Sequence, residues 1–250
     1  MNAAGHYAEL ALLALLAWLL VNALIVALYW RELRRQMREP VVRFPVLIIE
    51  SDDWGAGPLV QAVALRNIAQ VLVQHRDSTG RPPVMSLALV LAVPDGPSIE
   101  ADGRYHRIGL DNPCFADTLS ALRDGEARGV FALQLHGMEH FWSSSLLATG
   151  DAAVAAWLRQ PVPAMTERLP SHLQSRWVDA GTLPSTPHAA ALIRDAVEEE
   201  VRAYERIFGT PPRVVVPPTF VWTREVEDAW NAKGLECIVT PGWRYTRLNA

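Results

Sequence analysis

Apolar residues fill the N-terminal part of the chain almost without interruption. The run 10–30 contains Asn22 as its only markedly polar side chain. At about 1.5 Å per residue, a helix of this length crosses a hydrocarbon core of about 30 Å. A cleaved signal peptide has a basic start and a small-residue cleavage site. Residues 1–9 contain no lysine or arginine, and the run ends in bulky residues. The pattern therefore predicts a leader over 1–9 and a retained transmembrane helix over 10–30 that contacts the lipid bilayer.

Basic residues follow the apolar run directly. Residues 31–45 read as a juxtamembrane linker that contains Pro40 and Pro45. Its first part carries the arginines Arg31, Arg34, Arg35 and Arg38. The positive-inside rule places such a segment on the cytoplasmic side of the membrane. We expect a single-pass membrane protein whose main domain, 46–250, is cytoplasmic, with an extracytoplasmic domain as the alternative.

Beyond the linker, short continuous apolar runs alternate with stretches of helical periodicity. Runs such as Val46-Leu47-Ile48-Ile49 are typical of strands that are covered on both faces. The predicted strands are 46–49, 84–93, 130–135, 213–216 and 236–240. The predicted helices are 58–75, 115–123, 147–159, 188–208 with Gly209 as its C-terminal cap, and 223–234 with Thr223 as its N-cap. Residues 161–187 are rich in proline and read as an irregular excursion.

Strands that alternate with helices indicate parallel βαβ units, hence a doubly wound sheet or a barrel. A closed (β/α) barrel has about eight strands, and only five are predicted here. Either further strands lie in 161–187, or the chain ends before the barrel closes.

Composition narrows the function classes. The net charge is −4, and no basic stripe with interleaved aromatic residues is present, so nucleic-acid binding is not expected. Cys114 and Cys237 are the only cysteines and lie far apart, so neither a disulfide framework nor a CxxC metal or redox motif is predicted.

Candidate chemistry lies where two of the predicted strands end. Asp52 and Asp53 follow the first strand, and His136 and His140 follow the third. The carboxyl ends of parallel strands open onto one face, where ligands bind. Imidazoles with a carboxylate are a common ligand set for zinc or another divalent ion, and a second carboxylate can act as general base. The sequence therefore predicts a metal-dependent hydrolytic site.

Each motif alone has a simpler interpretation. Tandem aspartates often form a capping turn, and histidines four residues apart often share an exposed helix face. Glu139 gives the order HxxEH rather than the HExxH of zincins, and Gly137 after a strand argues against a helical setting. Several tryptophans follow predicted strand ends and suit either sugar stacking or core packing: Trp54, Trp142, Trp222 and Trp243.

The two motifs resemble a known family. Ser51-Asp52-Asp53-Trp54 is similar to the first motif, TFDD, of the polysaccharide deacetylases (NodB homology, carbohydrate esterase family 4), and His136-Gly137-Met138-Glu139-His140 is similar to their second, H-S/T-x-x-H. The resemblance implies a distorted (β/α) barrel and metal-dependent removal of acetyl groups from glycans.

The resemblance also implies roles for individual residues. Asp52 is expected to be the general base, and Asp53, His136 and His140 the ligands of a divalent metal, expected to be zinc. We assign substrate contacts to residues at the strand ends: Trp54, Glu139, Pro218 and Trp222. The expected substrate is an acetylated polysaccharide or a lipid-linked sugar.

The chain departs from the family pattern at two places. Pro218 stands for the proline of the third motif, RxPY, but Val216 occupies the place of its arginine, and no histidine follows His188 to act as general acid. A catalytically inactive barrel that binds glycan or scaffolds a membrane assembly is therefore the alternative. A glycoside hydrolase using Asp52 with Glu139 is a third hypothesis.

Overall fold

A computed structural model of the chain describes residues 3–39, 45–160, 166–181 and 183–241. The predicted features at Pro40 and Trp243, and part of the proline-rich stretch, lie outside these ranges. The chain divides into two compact units, Met1–Leu47 and Ile48–Ala250.

The first unit is helical. Helix α1 spans Ala3–Leu28, and α2 spans Trp30–Gln36 after a turn at Tyr29. Inside α1, the Asn22 side-chain amide donates to the Trp18 carbonyl at 2.7 Å, which satisfies the one polar group of the apolar run. The stretch Glu9–Leu28 is long and apolar enough to cross a membrane, a test that a signal sequence also meets.

The second unit is built on a five-stranded parallel sheet, in the order β1-β2-β5-β8-β9. Its strands are β1 Ile49–Gly55, β2 Met85–Val90, β5 Phe131–Gly137, β8 Val214–Val215 and β9 Cys237–Ile238. Two small antiparallel pairs accompany it: β3 Ala92–Pro94 with β4 Arg107–Gly109, and β6 Val178–Asp179 with β7 Thr186–Pro187.

Helices connect these strands. They are α3 Gln61–Leu72, α4 Gly96–Asp102, α5 Ala116–Ala127, α6 Ser143–Ala148, α7 Ala152–Leu158, α8 Ala190–Phe208 and α9 Arg224–Ala232. Short 3₁₀ turns lie at Pro113–Phe115, Thr166–Arg168, Ser171–Leu173 and Pro218–Phe220.

One hydrophobic core joins the sheet to its helices. On α3, the buried residues Ala62, Leu65, Ala69 and Leu72 recur at helical spacing and form one face. Three of them join a cluster with the fully buried strand residues Leu87, Leu89, Leu135 and Val215. On α8 the buried face runs from Ile193 to Ile207. Burial of these faces holds the sheet rigid, which fixes the positions of its carboxyl ends.

The prediction of an α/β chain with parallel βαβ units is confirmed. Among the described residues β1 and β9 are not paired with each other, so a closed barrel is not seen there. Gly209 ends α8 in the left-handed conformation, with φ of 78°, and its N–H donates to the Glu205 carbonyl, as predicted for a C-terminal cap.

The helix predicted over 147–159 is wrong as a single element. Two helices, α6 and α7, occupy this part of the chain. Gly150 has φ of 60°, and Asp151 caps α7 because its carboxylate accepts from the Ala153 N–H at 2.6 Å. The glycine and the capping aspartate break the helix there.

Candidate metal centre

Asp52 and Asp53 lie inside strand β1 rather than in a loop after it. The strand runs from Ile49 to Gly55, so the predicted strand 46–49 was placed too early. Its pairing with β2 shifts between Ser51 and Trp54, which marks a bulge, and Asp53 has φ of 61°. In a regular strand, successive side chains point to opposite faces. A bulge lets the strand re-aim one side chain locally, as is common beside functional sites.

The two histidines come from the end of β5. His136 is in the strand and fully buried, and His140 lies beyond Gly137 in a bend rather than a helix. The non-helical setting predicted for this motif is confirmed. The rings of the two histidines pack edge to face, with centroids 5.0 Å apart.

Asp53, His136 and His140 converge. The Asp53 Oδ1 atom is 3.5 Å from His136 Nε2 and 3.6 Å from His140 Nε2, and the three ligand atoms lie within 4.8 Å of one another. Zinc bonds of about 2.0–2.2 Å at tetrahedral angles place neighbouring ligand atoms roughly 3.3–3.5 Å apart. The two separations from the Asp53 carboxylate to the imidazoles are close to this spacing, so the three side chains fit one divalent ion.

Backbone carbonyls orient both imidazoles. The Nδ1 of His136 lies 2.7 Å from the Val216 carbonyl, and that of His140 lies 2.8 Å from the Gln174 carbonyl. A carbonyl oxygen can only accept a hydrogen bond, so the Nδ1 of each histidine carries the proton. The Nε2 atom of each neutral ring then presents its lone pair. The buried His136 Nε2 makes no hydrogen bond to any described residue. Metal-binding histidines commonly donate their other ring N–H to a backbone carbonyl in this way.

The electrostatics keep His140 in the form that binds a metal. Burial lowers the pKa of His140 from 6.5, and the nearby Asp53 carboxylate only partly opposes this. The imidazole is therefore neutral at neutral pH, as a metal ligand must be.

Asp52, the predicted base, is exposed at the rim of two adjoining pockets. The larger, about 230 Å³, is also lined by Asp53, Trp54 and Gln61. The smaller, about 150 Å³, is lined by residues that include Gln134 and Phe220. Asp52 and Trp54 thus lie beside the triad, and their roles as base and substrate contact stay predictions.

Gln61, which the sequence did not single out, holds the bulged strand. Its side chain reaches back from the start of α3. Oε1 accepts from the Gly55 N–H at 3.0 Å, and Nε2 donates to the Asp53 carbonyl at 3.1 Å. One amide thus ties both sides of the bulge that carries a ligand.

Glu139 does not line the pockets beside Asp52. It is 1 % exposed, and its carboxylate pairs with Arg107 at 2.7 Å and Arg176 at 3.0 Å, and accepts from the Tyr105 hydroxyl at 3.1 Å. A role in substrate binding stays a prediction, but the carboxylate is already fully engaged. The glycoside hydrolase hypothesis, which needs Glu139 opposite Asp52, gains no support from this placement.

The two remaining predicted contacts also sit back from the pockets. Pro218 is buried in a 3₁₀ turn, and Trp222 is 6 % exposed and donates through Nε1 to Glu227 at 2.8 Å. Neither lines the pockets beside Asp52. The segment contributes through Val216, whose carbonyl orients His136.

Fold and site together define an α/β domain with a candidate metal centre at the carboxyl edge of a parallel sheet. No protein-family model and no curated protein matches the sequence. Among solved structures, the chain is similar to two deacetylases and a pseudoenzyme. A de-N-acetylase from Aggregatibacter actinomycetemcomitans is 14 % identical, with a TM-score of 0.41, over 79 % of this chain and 64 % of that one.

Two further structures extend this similarity. The BpsB deacetylase domain from Bordetella bronchiseptica is 14 % identical, with a TM-score of 0.42, over 78 % of this chain and 64 % of that one. A CE4 family pseudoenzyme from Bacillus anthracis is 12 % identical, with a TM-score of 0.35, over 76 % and 41 %. The chain thus spans less than two thirds of these proteins. At such identities and TM-scores these matches are a distant similarity of fold and assign no activity to this chain.

Proposed function

We propose that this protein is a metal-dependent hydrolase that removes acetyl groups from an acetylated polysaccharide or a lipid-linked sugar. The observation that carries the proposal is the convergence of Asp53, His136 and His140, with ligand atoms within 4.8 Å of one another. Three protein ligands leave a coordination position open for water, as catalytic metal sites require. Zinc suits this mixed nitrogen and oxygen donor set.

The side chains of the site would have three different roles. Asp53, His136 and His140 would hold the ion, which when bound lowers the pKa of a coordinated water toward about 7 and polarises the acetyl carbonyl. Asp52, exposed at the rim beside them, would take a proton from the attacking water. Trp54 lines the same pocket and offers a ring on which a sugar can stack.

The test is to measure metal content and acetate release on the same full-length preparation. Purified chain in detergent should hold about one divalent ion. It should release acetate from N- or O-acetylated oligosaccharides after zinc is supplied. Asp53→Ala and His136→Ala should lose both properties, because each removes one of the three candidate ligands found among the described residues.

His172→Ala is the matched control, because this histidine is exposed and lies outside the ligand cluster. It should keep both metal and activity. A wild-type chain that binds no divalent ion, with acetate release unchanged by both ligand substitutions, would falsify the proposal.

The second candidate is a catalytically inactive relative that binds glycan at this site. Val216, which occupies the place of the motif arginine, motivates it: its carbonyl orients His136, but its side chain offers no guanidinium to the site. Normal metal and glycan binding without acetate release from any acetylated sugar would favour this candidate.

A further inference from the structure

A buried ionic network lies behind the histidine motif. Arg176 and Glu200 are 3 % and 0 % exposed. The Arg176 Nε donates to Glu200 Oε2 at 3.1 Å, and its Nη1 donates to Glu139 Oε2 at 3.0 Å. Trp230 Nε1 donates to the other oxygen of Glu200 at 3.1 Å. Buried ions of this kind stay in a fold only when their partners satisfy them, since each costs several kcal/mol to desolvate.

The network forms hydrogen bonds with the backbone of the loop that carries His140. Besides the Glu139 carboxylate, Arg176 Nη1 reaches the carbonyls of Glu139 at 3.3 Å and Phe141 at 3.4 Å. Glu200 Oε2 also accepts from the Met138 N–H at 3.3 Å. The loop is therefore held at three peptide groups, the Met138 N–H and the carbonyls of Glu139 and Phe141, by two side chains from elsewhere in the chain.

Gly137 allows this close approach. A Cβ atom at this position would lie 3.1 Å from Arg176 Cδ, and φ of 118° already disfavours any other residue. The guanidinium stem thus packs against the backbone between the two histidines.

The same arginine lies on the segment that supplies the hydrogen-bond acceptor of His140. Gln174, whose carbonyl accepts from His140 Nδ1 at 2.8 Å, lies two residues before Arg176 on the same segment. Arg176 therefore ties the loop that carries His140 to the segment that orients it. His136 differs, because its acceptor is Val216, directly after strand β8 of the sheet.

We infer that Arg176 is a positioning residue for the metal site, which holds His140 in the Nδ1–H tautomer with Nε2 aimed at Asp53. The metal-binding consequence rests on the proposed function, whereas the orientation of the imidazole does not. Lysine cannot replace this arginine, because a single ammonium cannot bridge Glu200 and the loop carbonyls as the planar fork does.

The experiment compares full-length wild type with Arg176→Lys and Arg107→Lys in detergent. Arg107→Lys is the matched control: Arg107 pairs with the same Glu139 carboxylate, whereas the hydrogen bonds to the loop carbonyls come from Arg176. Long-range proton–nitrogen NMR of ¹⁵N-histidine-labelled, metal-free protein reports the tautomer of each imidazole. Competition against a chromophoric chelator measures zinc affinity.

Arg176→Lys should convert His140 to a mixture of tautomers while His136 keeps its Nδ1–H form. Zinc affinity should fall about 10- to 100-fold, the usual effect of losing an outer-shell partner. Arg107→Lys should change neither. If Arg176→Lys fails to fold, the triple variant Arg176→Met, Glu139→Gln, Glu200→Gln removes the charges together and should show the same tautomer change.

The inference is overturned if His140 keeps a pure Nδ1–H tautomer in the folded variants. It is also overturned if wild type binds zinc and Arg176→Lys binds it equally well. Absence of zinc binding by wild type counts against the proposed function alone, because the tautomer measurement on metal-free protein still decides the role of Arg176.

Discussion

The Asp53 carboxylate and the His140 imidazole lie 3.6 Å apart, although β2 separates the strands from which they come. The sheet order β1-β2-β5 leaves a gap of one strand between them at the carboxyl edge. The bulge in β1 and the bend after Gly137 bring the two side chains together across it. The ligand geometry thus depends on two local irregularities, and each is held by its own hydrogen bonds.

The tandem aspartates should separate metal binding from turnover. Asp53→Asn removes the carboxylate ligand and should abolish stoichiometric zinc binding and, with it, activity. Asp52→Asn, on the exposed neighbour, should keep zinc and lower kcat by about 10²- to 10⁴-fold, the usual contribution of a general base. Zinc titration and acetate release on both variants check this. Loss of zinc in Asp52→Asn would contradict the assignment of roles.

Gln61→Leu should weaken zinc binding although Gln61 is not a ligand. The variant loses the bonds to Gly55 N–H and the Asp53 carbonyl, so the strained bulge relaxes. We expect zinc affinity to fall about tenfold, in the range for outer-shell partners. Stability should fall by about 1–2 kcal/mol for two hydrogen bonds.

Gln70→Leu is the control for this prediction, since Gln70 is exposed on the same helix α3. Chelator competition and urea unfolding on both variants give the two quantities. Equal zinc affinity in wild type and Gln61→Leu would show that the bulge holds its shape unaided.

The convergence of the tandem aspartates with the two histidines was accessible from the sequence through one topological rule, whereas the choice of Asp53 as the ligand came from the family resemblance. The carboxyl ends of parallel strands open onto one edge, so motifs after the first and third predicted strands were expected on the same edge of the sheet. The rule needs only the order of strands and helices, which hydrophobic patterning gives. It does not need correct strand ends, and β1 was in fact placed too early.

The supporting residues were not accessible in the same way. Arg176 lies in an irregular segment without periodicity. The Gln61 side chain binds backbone atoms of another segment, which any residue type provides. Neither residue therefore leaves a pattern in the sequence. Glu200 did leave a signal. It falls within the buried stripe of α8 that also contains Val197 and Tyr204, where a charged residue requires a buried partner. The short strands of the two antiparallel pairs are set by tertiary contacts.

The metal-free protein should lose stability as the pH falls below about 6.5, and His140 should account for part of that loss. Burial lowers its pKa in the folded state from 6.5, so the unfolded chain binds more protons there. The free energy of unfolding therefore decreases as pH drops from 6.5 toward the folded pKa. Urea unfolding of wild type and His140→Gln between pH 5 and 8 should show a shallower slope in the variant.

His172→Gln, at an exposed position, should retain the wild-type slope in the same series. His188, whose pKa burial also lowers, contributes equally to all three proteins and cancels from the comparison. Parallel slopes for wild type and His140→Gln would contradict the assignment.

The main domain should face the cytoplasm, and two cysteines of the chain allow this to be tested by chemical labelling. Cys114 and Cys237 are free and exposed, so a membrane-impermeant maleimide reaches them only from the side on which the domain lies. Intact cells should give no labelling and permeabilised cells full labelling, while the Cys114→Ser, Cys237→Ser variant should give none in either. Labelling of intact cells would place the domain outside, which would contradict the orientation predicted from the arginines that follow the apolar run.

The mass of the labelled chain shows whether the N-terminal helix is retained, since a retained anchor keeps residues 1–30 and a cleaved signal peptide does not.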